Sequence, residues 1–124
     1  MKIINNINGI KANGHYAPAV LSHGLLFVSG QLPMVNGKVV EGGIEAQAKQ
    51  SLANIDKILV AAGTAREHVV SCHVYVSDIA DWDAVNDVYA AYFGRHTPAR
   101  IVVPSNKLHH GARIEIEVVA EMPE

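Results

Sequence analysis

Apolar residues along this chain switch between an alternating and a helical period, and the switches mark its elements. Two apolar runs, Tyr16 to His23 and Leu25 to Gly30, flank the turn His23-Gly24 and predict a hairpin. A second turn, Val35-Asn36-Gly37-Lys38, has Asn-Gly at its centre and leads into a short strand at Val39 and Val40. Ala48, Leu52, Ile55, Leu59 and Ala62 then recur at three- and four-residue spacing. They predict a helix from about Ile44 to Ala62, with Gly63 as its stop signal. His68 to Ser77 alternates and is rich in β-branched residues, as a strand should be. Asp78 or Asp81 then caps a second helix carrying Val85, Val88, Tyr89, Tyr92 and Phe93 before Gly94. Closing strands are predicted near Arg100 to Val103 and Arg113 to Glu121.

The order β-β-β-α-β-α-β-β predicts an α+β fold in one domain over residues 1–124, with two helices laid on one face of a mixed sheet. Leu25 to Val28, Ile101 to Val103 and much of Val69 to Val76 are apolar on both strand faces, a pattern expected where both faces are covered. Two helices cover one face only. A second copy of the chain is the simplest cover for the other, so a closed homo-oligomer is expected.

Composition narrows the function classes. Hydrophobic residues make up 49% and charged residues 18%, which suits a compact globular protein. The net charge of -2 gives no pull toward nucleic acid or anionic membranes. One cysteine, Cys72, excludes an internal disulfide, and MKIINNINGI lacks the apolar core of a signal peptide, so the cytosol is the expected compartment. None of the seven histidines forms an HxH or HExxH spacing, and no metal is expected. His109 and His110 sit close in sequence to the acidic closing strand and are candidate pocket lining.

The candidate chemistry lies between Thr97 and Ala120. Along a pleat, Arg113, Glu115 and Glu117 fall on one side and Ile114, Ile116 and Val118 on the other. With Arg100 on a short strand beside the carboxylates of its neighbour, the segment holds what is needed to bind a small anionic substrate and activate a water against it. Each residue also has a structural reading. The two glutamates could be the solvated face of a strand, and Arg100 an ion-pair partner. Ser29 could end a strand, Tyr16 could pack, and Cys72 reads as a small buried hydrophobe.

Four segments in order, Gly14 to Ala19, Phe27 to Pro33, Gln47 to Asn54, and Pro98-Ala99-Arg100 with Ile114-Glu115-Ile116-Glu117, resemble the Rid/YjgF family of reactive-intermediate deaminases. The resemblance implies a chorismate-mutase-like fold and a homotrimer whose sheets form a central barrel. It also implies intersubunit clefts that hydrolyse 2-imino acids and their enamine tautomers to 2-oxo acids and ammonia without metal or cofactor. By the same resemblance, Arg100 grips the substrate carboxylate, Glu115 polarises the water, Tyr16 and Ser29 shape the pocket, and the backbone at Val102 faces the imine nitrogen. Departures from the family pattern are Val102 where the best-studied members carry cysteine, His15, Ala17 and Pro18 around the tyrosine, and Leu108-His109 where Leu-Pro is usual. Two other readings stay open: an RNA-directed activity, as ribonuclease or translation inhibitor, and a non-catalytic small-ligand or chaperone-like trimer. The pI of about 6.4 and the lack of a basic aromatic strip weigh against the first.

Overall fold

The computed structural model describes residues 1–5 and 7–124; Asn6, within the N-terminal stretch read above as no signal peptide, lies outside the described residues. Strands β1 (Lys2–Ile4), β2 (Ala19–Ser22) and β3 (Leu25–Gln31) come first, followed by a small separate hairpin, β4 (Met34–Val35) and β5 (Lys38–Val39). Helix α1 (Gly43–Ala62), strand β6 (Val69–Val76), helix α2 (Trp82–Phe93), strand β7 (Ala99–Pro104) and strand β8 (Ile114–Glu121) complete the chain. The main sheet runs β1-β2-β3-β8-β6-β7, antiparallel except for the β6–β7 pair.

Local chemistry explains most of these boundaries. The turns at His23-Gly24 and Asn36-Gly37 hold both central residues at positive φ (52° and 76°, then 52° and 78°), the geometry that matches a hairpin's twist. Helix α1 buries Ala48, Leu52, Ile55, Ile58 and Leu59 along one stripe, and the N–H of Gly63 closes it on the carbonyls of Leu59 and Val60. Of the two candidate caps for the second helix, Asp78 does the capping. Its carboxylate accepts from the N–H of Ala80 at 2.9 Å in a 3₁₀ turn that runs into α2.

Both helices lie against one face of the sheet. Ile114, Ile116, Val118 and Ala120 of β8 are buried under them with Cys72, Val74 and Val76 of β6 and Val85, Tyr89 and Phe93 of α2. On the other face Phe27 and Ile101 remain 47% and 49% exposed, beside the half-buried Val20 and Val119. Among the described residues, the helices cover one face of the sheet, and Phe27 and Ile101 stay exposed on the other.

Three sequence expectations are corrected and one strand is added. The first hairpin strand starts at Ala19, not Tyr16: Pro18 accepts a last ladder bond from the Ser29 N–H at 2.9 Å but has no N–H to continue the pairing, and the Ala17 carbonyl is taken by the Ser29 hydroxyl at 2.6 Å. The strand expected at Val39 and Val40 ends at Val39 and pairs only with β4. Lys2–Ile4 forms an edge strand that three residues could not announce. Arg113, expected beside the acids, sends its guanidinium to both oxygens of Asp81 at 2.8 and 2.9 Å, tying β8 to the start of α2.

Candidate functional site

The alternation of β8 puts Glu115 and Glu117 on the face away from the helices, in register with Tyr75 and His73 of β6. Both acids line a cavity of about 1130 Å³, together with Tyr16, Ser29, Gly30, His109 and His110. Their surroundings set them apart. The Oε1 atom of Glu117 accepts from the Tyr75 hydroxyl at 3.2 Å and lies 2.9 Å from Nδ1 of His73. Those two partners hold it to the sheet.

Glu115 instead lies across the backbone of Gly30. A β-carbon built on Gly30 would stand 2.7 Å from Glu115 Oε2, closer than atoms can approach, so the missing side chain makes the space the carboxylate uses. Pairing between β3 and β8 shifts register between Val28 and Gln31, a bulge that brings Gly30 under Glu115. Glu115 is half-buried, and its carboxyl is raised above the usual carboxylate range by burial first and by Glu117 second, with His109 pulling the other way. A carboxylate so placed is a stronger base than a solvated one.

Tyr16 lies in the loop before β2, 51% exposed, its hydroxyl accepting from the N–H of Asn13 at 3.3 Å. Ser29 spends its hydroxyl proton on Ala17, so its role in the cavity is to fix the Tyr16 loop. His109 and His110 occupy the turn before β8. His110 adopts a left-handed conformation (φ 60°), and the two rings stand 3.8 Å apart.

Arg100 is elsewhere. It belongs to the edge strand β7, and β6 separates it from β8. In register it pairs with Cys72, and Cys72 with Val118, both buried on the helix side. The arrangement of an arginine beside a carboxylate on the neighbouring strand is therefore not found within one chain, because Arg100 and the acids are on opposite faces of the sheet. The Arg100 guanidinium donates to Asn86 Oδ1 at 2.9 Å and lies 4.7 Å from the ring of Tyr89 and 5.3 Å from that of Trp82. Val102, two residues on, packs its side chain toward the core and leaves its backbone on the edge strand.

Sequence reasoning missed the Arg100 cradle. Trp82, Asn86 and Tyr89 stand at i, i+4 and i+7 of α2, one helical face, so the signal was present in their spacing. The Cys72 thiol is fully buried, and burial pushes it up to about 12, where it is no nucleophile at neutral pH. Among the described residues no group of three or more His, Cys, Asp or Glu is arranged to hold a metal ion, and no helix is long and apolar enough to cross a membrane.

Residues 6–122 match the family model described as Endoribonuclease L-PSP. The chain is 43% identical over 121 residues to the 2-iminobutanoate/2-iminopropanoate deaminase of Capra hircus, covering 96% of this chain and 88% of that protein. Its fold superposes on YyfA of Yersinia pestis, described as a member of the conserved Rid protein family, with a TM-score of 0.93 at 39% identity, covering 98% of each chain. The YjgF gene product of E. coli gives a TM-score of 0.90 at 34% identity, covering 99% of this chain and 100% of that one. Whole-length agreement in sequence and fold shows that this chain belongs to the Endoribonuclease L-PSP family, that of the Rid and YjgF proteins.

Proposed function

We propose that this chain hydrolyses small 2-imino acids, and the enamines in equilibrium with them, to 2-oxo acids and ammonia, in clefts built between copies of the chain. The observation that carries the reading is Glu115, a half-buried carboxylate of raised basicity laid over a glycine in an open cavity. The deaminase to which the chain is 43% identical bears the corresponding activity in its name.

In this reading Glu115 takes a proton from a water, whose oxygen attacks the imine carbon, and a planar guanidinium grips the substrate carboxylate. Arg100 is suited to the second task. Asn86, Tyr89 and Trp82 fix its fork, and its edge strand leaves the cleft side open to a neighbour. Since Arg100 and Glu115 lie on opposite faces of one sheet, a cleft with both requires two copies. The apolar face with Phe27 and Ile101 supplies a surface for that contact, and a homotrimer is the assembly we favour. Cytosolic placement accords with a single free cysteine.

The family description names an endoribonuclease, but two glutamates facing the cavity and a net charge of -2 would repel a phosphate backbone. The test is release of ammonia and 2-oxo acid from 2-imino acids generated in situ from several parent amino acids. Acceleration over buffer supports the reading; no acceleration with any parent contradicts it. Light scattering should give about 40 kDa, three times the 13.3 kDa chain.

A further inference from the structure

His109 stands after Leu108 where the family pattern carries proline, and His109 and His110 line the same cavity as Glu115. Three other histidines have side-chain partners: His23 with Ser22, His73 with Glu117, His96 with the Val69 carbonyl. The rings of His109 and His110 lie against each other, tilted by 50°, in an exposed turn instead. That turn is closed by two backbone bonds, Gly111 N–H to the Leu108 carbonyl at 3.3 Å and Ala112 N–H to that of His109 at 3.2 Å, which hold His109 at the cavity. An imidazole there lines the same open space as the Glu115 carboxylate.

We propose that His109 is the proton donor that complements Glu115 in this site. The proposal rests on the reading that Glu115 activates the water. As the water oxygen bonds to the imine carbon, Glu115 takes one water proton. The C=N π pair becomes the nitrogen lone pair, and that nitrogen takes the proton of the His109 imidazolium, giving a carbinolamine. In the second step the hydroxyl proton returns to His109 as C=O forms. The C–N bond breaks, and the departing nitrogen takes the proton from Glu115 and leaves as ammonia. Both side chains end as they began, and no other reactant is consumed. Burial and Glu117 raise the Glu115 carboxyl, and the nearby His109 side chain acts in the opposite direction. Other titratable groups around the pair are Glu117, Tyr75 and His73 on the sheet face, His110 on the same turn, Lys38 on β5 packed against that turn, and Lys11 at the cavity wall.

A donor and a base with separate ionisations give a bell-shaped profile of kcat/KM against pH. His109→Gln should lower the optimum on the order of tenfold to a hundredfold and flatten the alkaline limb, while the acid limb moves to higher pH. Added imidazole should restore part of the rate in His109→Ala. A ¹³C titration of the Glu115 carboxyl reads the pair without turnover: its midpoint should be higher in His109→Gln than in the native chain. An unaltered alkaline limb in an active His109→Gln, or an unmoved Glu115 midpoint, overturns the proposal. A native chain inert toward imino acids overturns the functional reading itself, and the donor role with it.

Discussion

The carboxylate of Glu115 occupies the space where a side chain on residue 30 would begin: its Oε2 stands 2.7 Å from the β-carbon position of Gly30. Backbone strain is not at issue there, because Gly30 is absent from the residues with positive φ. Gly30→Ala should therefore push aside the flexible end of Glu115 with little effect on folding. We expect a loss on the order of a hundredfold in kcat from a displacement of that size. Thermal unfolding should change by no more than about 0.5 kcal/mol. Comparing turnover with melting temperature in the one variant checks both halves.

Glu115 and Glu117 share a face but not an environment. Because Tyr75 and His73 already engage Glu117, it is poorly placed to take a proton from water. Glu115→Gln should cut turnover by about 10² to 10⁴, with ligand affinity nearly kept, whereas Glu117→Gln should change it far less. Steady-state kinetics on both variants decides, and a larger loss at Glu117 would reverse the assignment.

The raised carboxyl of Glu115 also has a cost in stability with a definite sign. A folded-state pKa above the unfolded value means the folded chain binds the proton more tightly, so stability falls as pH rises through the window between the two. At neutral pH the ionised Glu115 opposes folding. Glu115→Gln should melt at a higher temperature than the native chain at pH 7, and the gap should close below about pH 4, where an unfolded glutamate is itself protonated. Melting curves across that range check it.

Arg100 presents a planar fork whose orientation is set by Asn86 and two aromatic rings. Arg100→Lys keeps the charge and loses the fork, and should cost about 2 to 4 kcal/mol in kcat/KM while the fold persists. Near-native kinetics in that variant would make Arg100 a purely structural residue.

Much of this arrangement was legible in the sequence, and the failures have physical causes. The two helices could be read because each presents a stripe at i, i+3 and i+4, and the face of Glu115 because β8 alternates without interruption. Lys2–Ile4 escaped because three residues carry no period, and the start of β2 was misplaced because Pro18 has no N–H to continue the pairing and a serine hydroxyl twelve residues away takes the Ala17 carbonyl. The relation of Arg100 to Glu115 failed for a topological reason. Consecutive strands usually pair, but here β6 inserts between β7 and β8, and no local pattern announces that insertion. Gly30 was visible as a glycine in a strand, but its function depends on a side chain 85 residues away.

The central claim is that Arg100 of one copy and Glu115 of another complete each site, and mixing two inactive variants tests it most directly. Arg100→Ala and Glu115→Gln chains, each inactive alone, are unfolded together, refolded as mixed assemblies and assayed for 2-oxo acid release. Some clefts then receive the intact arginine from one variant and the intact glutamate from the other. Random mixing in a closed ring should restore about a quarter of the native rate. Mixed assemblies, verified by mass, that remain as inactive as either parent would contradict the account.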